Sequence, residues 1–212
     1  TLTPGIYGIG SVIPVRAIYD DNLFIDFSGG SPFLVLNNGG LAAYDQLIGN
    51  TTLEFDYTVM EGQTTSLLDV NNITRNNGSI VDSSGIEADY FNLPTGSDTL
   101  AQSSMIEIDA TRPSLVSTSS PELNGTYKVG DTLSIDVELT EDVTVQSPAG
   151  TPLRLNLNSG NFATFDSLLD PQNARFTYTV AEGDSSSDLD VVNIDRFVQD
   201  LVDVAGNSFA PS

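Results

Sequence analysis

The sequence contains one pattern twice, and this duplication limits the fold more than any single motif does. Residues from Gly5 onward align with residues from Gly125 onward at an offset of 120, and a one-residue insertion near Asn156 raises the offset to 121. The clearest match sets Phe55-Asp-Tyr-Thr-Val-Met-Glu-Gly62 against Phe176-Thr-Tyr-Thr-Val-Ala-Glu-Gly183. A repeat of about 120 residues has the size of a domain and not of a solenoid turn. The chain is therefore predicted to hold two domains of one kind in tandem.

The predicted boundary between the domains lies at Asp109, within Ile106-Glu-Ile-Asp-Ala-Thr-Arg-Pro113. The two isoleucines of this segment are expected to close the last strand of the first domain. The few residues that follow include a proline, and such a short, stiff connection permits little motion. The sequence thus predicts a first domain at residues 1–109, a second at residues 110–212, and an extended rod made of both.

Alternating apolar and polar residues predict β-strands. In Leu133-Ser-Ile-Asp-Val-Glu-Leu-Thr140 every second side chain is apolar, as in a strand with one buried face. Pro14 occupies a polar-face position of the equivalent segment, which indicates an edge strand or a bulge. Further strands are predicted at 33–36, 42–44 and 53–59 and at their equivalents 153–157, 163–165 and 175–180.

Glycine and asparagine clusters separate these short strands, and no segment shows a helical period. Short strands with turn signals every 8 to 12 residues are typical of an antiparallel β-sandwich. The predicted fold class is therefore all-β, with two tandem immunoglobulin-like antiparallel β-sandwiches.

Composition excludes several functions. The 29 acidic and 7 basic residues give a net charge of −22, so neither nucleic acid nor an anionic membrane surface is an expected partner. The chain has no cysteine and no histidine, which excludes disulfides, thiolate or imidazole metal sites, and histidine-dependent nucleophiles. No apolar run is long enough to span a bilayer, so no membrane insertion is expected within this sequence.

Several segments of the second repeat resemble a known class of repeats. They are Gly125-Thr-Tyr-Lys-Val-Gly-Asp-Thr-Leu-Ser-Ile-Asp-Val137, Thr151-Pro-Leu-Arg-Leu155, Tyr178-Thr-Val-Ala-Glu-Gly-Asp184 and Asp203-Val-Ala-Gly-Asn207. They resemble the immunoglobulin-like and cadherin-like repeats of very large microbial surface proteins, and Ile108-Asp-Ala-Thr-Arg-Pro113 resembles the linkers between such repeats. The resemblance implies an extracellular stalk, adhesin arm or surface layer, often with calcium at loops and junctions.

Acidic residues in the loops are candidate calcium ligands, because calcium takes six to eight oxygen ligands from carboxylates, amides and carbonyls. In the second repeat the candidates are Glu182, Asp184, Asp188, Asp190 and Asp203. In the first repeat they are Glu61, Asp69 and Asp82, and at the junction Asp109 is expected to meet Glu141 or Asp142.

The first repeat departs from the resemblance at two of these positions. Asp203-Val-Ala-Gly-Asn207 becomes Asp82-Ser-Ser-Gly-Ile86, and Asp188 becomes Leu67. An alternative explanation for all of the acidic loop residues is that aspartate and serine fill turns, where their side chains satisfy local backbone groups. For Asp109 this alternative is slightly favoured.

Other readings of the motifs stay open. Four glycosylation sequons occur, near the number expected by chance, at Asn50, Asn72, Asn77 and Asn124.

Paired carboxylates also catalyse glycoside hydrolysis. The acidic residues of this chain recur in both copies within short turns, so no catalytic residue is assigned and the chain is not expected to be an enzyme. A carbohydrate- or ligand-binding module is the alternative function. It would need an exposed aromatic platform in one copy.

The two repeats differ at their ends. The second begins with a strand-like segment, Leu115 to Leu123, which has no counterpart before Gly5, and the first ends with Tyr90 to Ile108, which has no counterpart in the second. Either the sequence is part of a longer array, or neighbouring copies supply the missing strands in a head-to-tail filament, since an open sheet edge is a template for strand addition. The favoured function is a structural stalk, adhesin or fibre.

Overall fold

The computed structural model describes residues 3–88, 92–146, 153–195 and 200–210. The chain divides into two compact units, Thr1–Thr111 (unit 1) and Arg112–Ser212 (unit 2). The division falls close to the predicted boundary at Asp109. Nearly all of the regular secondary structure in both units is β-strand, so the predicted all-β class is confirmed.

The described residues of unit 1 form three sheets. Its elements are β1 (Gly5–Tyr7), β2 (Val12–Ile18), β3 (Phe24–Asp26), β4 (Phe33–Leu36), β5 (Leu41–Ile48), β6 (Thr52–Thr58), β7 (Val70–Thr74), β8 (Ser79–Val81), a 3-10 turn (Gly96–Asp98), helix α1 (Leu100–Ser104) and β9 (Ile106–Ile108). A five-stranded antiparallel sheet has the order β2-β6-β5-β4-β7, and β3 pairs antiparallel with β8. The third sheet is the parallel pair β1-β9.

In unit 2 the part that the structure describes forms two sheets. Its strands are β10 (Leu115–Ser119), β11 (Thr132–Leu139), β12 (Thr144–Gln146), β13 (Arg154–Leu157), β14 (Phe162–Asp170), β15 (Asn173–Thr179), β16 (Val191–Asp195) and β17 (Asp200–Val202). Six strands pair in the order β10-β11-β15-β14-β13-β16, and β12 pairs antiparallel with β17.

The strands β2 to β8 have the same order and the same pairing as β11 to β17, so the sequence repeat is also a repeat of topology. The hydrogen bonds locate the inserted residue. Tyr44 N–H donates to the Pro32 carbonyl in unit 1, and Phe165 N–H donates to the Leu153 carbonyl in unit 2. Pro32 and Leu153 are therefore equivalent, and the offset of 121 already holds at Leu153. The prediction that placed the insertion near Asn156 is wrong, because runs of leucine and asparagine align almost equally well at either offset.

Each unit has its own core, built by the alternation seen in the sequence. Along β11, Leu133, Ile135, Val137 and Leu139 are buried, and the residues between them are more exposed. The neighbouring strand adds large aromatic side chains to each core, Phe55 and Tyr57 in unit 1 and Phe176 and Tyr178 in unit 2. Burying one side chain of this size stabilises the fold by about 1.5–3 kcal/mol.

The edges of the main sheets differ between the units. Among the described residues of unit 1, β2 is one of the two edge strands of the main sheet and contains Pro14, so of the two predicted explanations, an edge strand or a bulge, the edge strand is the one observed. In unit 2 the equivalent β11 is covered by β10, which is the predicted strand-like segment at Leu115. Unit 1 alone contains the parallel pair β1-β9 among the described residues.

Helix α1 has no counterpart in the sequence-based prediction. Thr99 caps its start by accepting a hydrogen bond from Gln102 N–H, and Met105 ends it in the left-handed conformation at φ 49°. Five residues make little more than one turn, which is too short to show a helical period. No helix in the described part of the chain is both long enough and apolar enough to cross a membrane.

Candidate functional site

The predicted calcium ligand Asp184 closes a turn in the acidic loop of unit 2 (residues 181–190). Its Oδ2 accepts hydrogen bonds from Ala181 N–H at 2.7 Å, from the Tyr178 hydroxyl at 2.8 Å and from Asn161 Nδ2 at 3.2 Å. These donors, the Ala181 N–H first and the Tyr178 hydroxyl second, hold the pKa of Asp184 below its usual value. One oxygen of this carboxylate, Oδ2, therefore accepts from three protein donors.

In unit 1 a neutral amide occupies the position of Asp184. Gln63 Oε1 accepts from the Tyr57 hydroxyl at 2.9 Å and from Met60 N–H at 3.0 Å in the acidic loop of unit 1 (residues 60–69). Since the same turn closes with glutamine, the position requires an acceptor oxygen but no charge. This substitution between the copies is the sequence signal that indicates a structural role for Asp184.

Asn158 clamps the far end of the loop in unit 2. Its Nδ2 donates to the Asp188 carbonyl at 2.8 Å, and its Oδ1 accepts from Asp190 N–H at 3.0 Å. Asn37 makes the same two contacts in unit 1, with the Leu67 carbonyl at 2.8 Å and with Asp69 N–H at 3.1 Å. Sequence reasoning missed both asparagines, although they occupy equivalent positions before a turn glycine.

The side chains of Asp69 and Asp190 bind the backbone next to them. Asp190 Oδ1 accepts from Val191 N–H at 2.8 Å, and Asp69 Oδ1 accepts from Val70 N–H at 2.9 Å. Asp188 and Asp190 precede β16 instead of lying in a strand, so the argument that a strand would direct both carboxylates to one face does not hold. The side chain of Asp188 is exposed.

Asp82 follows β8 in unit 1, and Asp203 follows the equivalent β17 in unit 2. The two aspartates close equivalent turns. Asp203 is buried, and its two carboxylate oxygens accept from the backbone N–H and from Nδ2 of Asn207, both at 2.8 Å. In unit 1, Asp82 Oδ1 accepts from Ser84 N–H and Ile86 N–H, both at 2.8 Å. Both aspartates thus satisfy turn backbone groups, as the alternative explanation of the acidic loops requires.

The remaining predicted ligands lie at the surface or near it. Glu61 and Glu182 are exposed, and Asp109 is half-buried with its Oδ1 accepting from Thr111 N–H at 3.1 Å. Within either unit taken alone, no three carboxylates of the described residues have oxygens within 4.8 Å of one another. Calcium binding stays a prediction. The expected approach of Asp109 to Glu141 or Asp142 also stays a prediction, because Asp109 belongs to unit 1 and the other two residues belong to unit 2.

All four sequon asparagines are exposed: Asn50, Asn72, Asn77 and Asn124. Exposure is what a glycosylation acceptor needs, and glycosylation itself stays a prediction.

The aromatic side chains mostly build the cores. The ring pairs in contact among the described residues are Phe27–Tyr44, Tyr44–Phe55 and Phe165–Phe176, and each pair includes a ring of the core or one packed on it. Phe162 is exposed, and the guanidinium carbon of Arg154 lies over its ring, 3.9 Å from the ring centroid. No exposed rings in the described ranges stack on each other, so the aromatic platform of a sugar-binding module finds no support there.

Strand β9 fills a slot in unit 1 and is hydrogen-bonded on both sides. On one side it runs parallel to β1, and Asp109 N–H donates to the Tyr7 carbonyl at 3.1 Å. On the other side Thr65 and Ile108 exchange two backbone hydrogen bonds of 2.9 and 2.8 Å, and Leu68 N–H donates to the Ile106 carbonyl at 2.8 Å. We call this place, between β1 and residues 62–68, the strand slot.

The two isoleucines of β9 complete the core of unit 1. Ile106 and Ile108 are both fully buried and belong to the same cluster as Ile13, Val59 and Leu68. The strand therefore contributes apolar burial as well as backbone pairing, and it is part of the folded unit despite lying 38 residues after Leu68 in the sequence. Strand addition of this type joins a sheet edge to a segment distant in sequence.

No protein-family model matches the chain, and no curated protein or solved structure matches it either. The resemblance to microbial surface repeats therefore stays a prediction. What points to a function is the duplicated geometry of the chain itself.

Proposed function

We propose that the chain is a structural repeat module of an extracellular surface protein, a stalk or filament subunit made of tandem immunoglobulin-like β-sandwiches in an extended rod. The observation that carries the proposal is the strand-by-strand repeat of topology, in which β2 to β8 recur as β11 to β17. A duplicated unit extends a molecule, and features that recur in both copies serve the repeating unit more readily than one shared active site.

The residues that recur in both units support a mechanical role. The clamps of Asn37 and Asn158 and the turns closed by Asp82 and Asp203 hold loops in place through backbone hydrogen bonds. Side chains whose polar atoms are satisfied by their own backbone are poorly placed to bind a substrate. They stabilise the turns between strands instead.

The segment that completes unit 1 also leads into unit 2. Strand β9 ends at Ile108, unit 2 begins at Arg112, and β10 begins at Leu115. The same few residues thus finish one sheet and precede the next, which limits the length of free linker. A connection of this kind is suited to a rod, and strand complementation is how such a rod would extend to further copies.

Small-angle X-ray scattering of the full chain tests the rod. A single compact globule of 212 residues has a radius of gyration of about 17 Å, so a rod must give a clearly larger value and an elongated distance distribution. A value near that of the globule would reject the extended arrangement. Electron micrographs of concentrated protein then separate the two forms of the proposal, because a filament subunit polymerises and an isolated stalk does not.

Glycans and calcium belong to the proposal as accessory features. Expression in a glycosylating host, followed by intact mass measurement, tests the exposed sequons, and each Asn→Gln variant must remove the mass of one glycan. If the mass equals that of the bare chain, the glycoprotein assignment is wrong.

A further inference from the structure

We infer that unit 2 carries an open strand slot that binds an extended peptide segment with the Ile-x-Ile pattern of β9. The inference names the partner for the strand complementation in the proposed function and rests on that function to this extent. The inference starts from the equivalence of the two units. Because their topologies match, the residues that contact β9 in unit 1 have equivalent residues in unit 2.

The backbone groups that hold β9 have counterparts in unit 2 that meet no backbone acceptor in the described part of the chain. In unit 1, N–H groups of Gly62, Thr65 and Leu68 donate to carbonyls of Ala110, Ile108 and Ile106. At the offset of 121 the equivalent donors are Gly183, Ser186 and Leu189. Within the described ranges these three N–H groups have no backbone acceptor. Their spacing matches that of the donors that pair with β9 in unit 1.

The other side of the slot is also present in unit 2. Residues 125–127 correspond to β1, and Tyr127 donates its hydroxyl to the Leu123 carbonyl as Tyr7 donates to Thr3. In unit 1 this segment is a strand because it pairs with β9. Residues 125–127 form no strand and are all exposed. The segment therefore has the anchor of β1 but no partner among the described residues.

The apolar floor of the slot is incompletely covered in unit 2. Val59 and Leu68 are fully buried in unit 1, whereas the equivalent Val180 and Leu189 are only half-buried although they pack on the core of unit 2. Val129, which is equivalent to the core-packed Ile9, is 63% exposed. Two isoleucines in the positions of Ile106 and Ile108 would cover this surface, because they do so in unit 1.

A third contact orients the occupant. Asp69 Oδ1 accepts the N–H of Ala101 in α1 at 3.4 Å, just before β9, in addition to Val70 N–H. The equivalent Asp190 accepts from Val191 N–H and faces the same end of the slot by sequence equivalence. Because β9 runs parallel to β1 and follows the Ala101 contact with Asp69, the equivalent occupant lies parallel to residues 125–127, with its amino end toward Asp190.

Peptide binding to the full chain tests the inference. The probe is a fluorescent peptide with the sequence of residues 99–111, which contains α1 and β9. We expect saturable binding and, by amide hydrogen exchange, about tenfold slower exchange at Gly183, Ser186 and Leu189. A matched peptide carrying Ile106→Asp and Ile108→Asp should not bind, because it cannot fill the apolar floor.

Two chain variants locate the binding. Leu189→Asp removes apolar surface from the slot and should abolish binding, while Ser187→Asp adds the same charge at an exposed position of the same loop and should leave binding unchanged. Absence of binding at about 1 mM peptide, or protection in unit 1 through exchange with β9, would overturn the inference. Binding to unit 2 without any self-association of the chain would keep the slot and remove only the filament from the proposed function.

Discussion

Arg175 on β15 and Asp136 on β11 form a bidentate ion pair that reverses the charges of the equivalent pair in unit 1. Nε and Nη2 of Arg175 lie 2.7 Å from the two carboxylate oxygens of Asp136. At the same cross-strand positions of unit 1 the arginine is Arg16 on β2 and the acid is Glu54 on β6, with Nε and Oε2 2.7 Å apart. The fold therefore accommodates an ion pair of either polarity at these two positions.

The first prediction follows from this reversal. Arg175→Glu places two acids opposite each other in unit 2, and Asp136→Arg places two arginines there, so each single variant should lower the urea midpoint of unit 2. The double variant reproduces the polarity of unit 1 and should recover more than half of the summed loss. NMR-monitored unfolding of β15 amides gives the double-mutant cycle. Additive single effects, with no recovery, would show that the two side chains do not interact.

The second prediction concerns the pH dependence of the loop in unit 2. The folded-state pKa of Asp184 is lowered by the Ala181 and Tyr178 donors, so its stabilising effect is present above the unfolded-state pKa of about 3.9 and is lost as pH falls through the folded-state pKa. Asp184→Gln copies Gln63 of unit 1 and does not titrate. The stability difference between the native chain and this variant should therefore shrink below about pH 4.

Asp188→Asn is the matched control for this measurement. It removes one charge from the same loop, but the carboxylate of Asp188 is exposed and its loop contacts are made by its backbone. Acidification reduces the charge repulsion within a chain of net charge −22, and this affects the stability of every variant. Since both variants remove one negative charge from the same loop, this effect cancels when they are compared. Equal pH profiles for Asp184→Gln and Asp188→Asn would contradict the assigned role of Asp184.

The third prediction concerns the asparagine clamps. Asn158→Ala removes two hydrogen bonds to the backbone of the loop and should destabilise unit 2 by about 1–2 kcal/mol, and Asn37→Ala should do the same to unit 1. Exchange of the Asp190 amide should rise in the first variant and that of Asp69 in the second. Faster exchange spread evenly over both units, or no change at either amide, would argue against local clamps.

The sequence predicted the long strands because their chemistry is local. In β11 every second residue is apolar, and a strand with one buried face requires this alternation whatever its neighbours are. The pairs β3-β8 and β12-β17 were not predicted, since strands of three residues are too short to show a period. Helix α1 was missed for the same reason.

The spacing of the acidic residues in the sequence could not predict whether they bind calcium or close turns. A carboxylate that binds calcium and one that closes a turn have the same residue type and the same preference for loops. The difference lies in the donors nearby, such as the Tyr178 hydroxyl beside Asp184, which are brought there by tertiary packing. Comparison of the two copies supplies part of this information, because Gln63 in place of Asp184 shows that the turn does not need a charge.

The fourth prediction tests whether the folded chain binds calcium. Calcium that binds only the folded chain stabilises it by about 2.7 kcal/mol at a hundredfold excess over Kd, so the thermal midpoint should rise with added calcium and fall with chelator. Magnesium at equal ionic strength is the control, because it corrects for screening of the net charge of −22 and prefers a smaller, octahedral site. A midpoint that moves equally with both ions reports screening alone, and one that moves with neither leaves the acidic loops with only the turn-closing role that their hydrogen bonds describe.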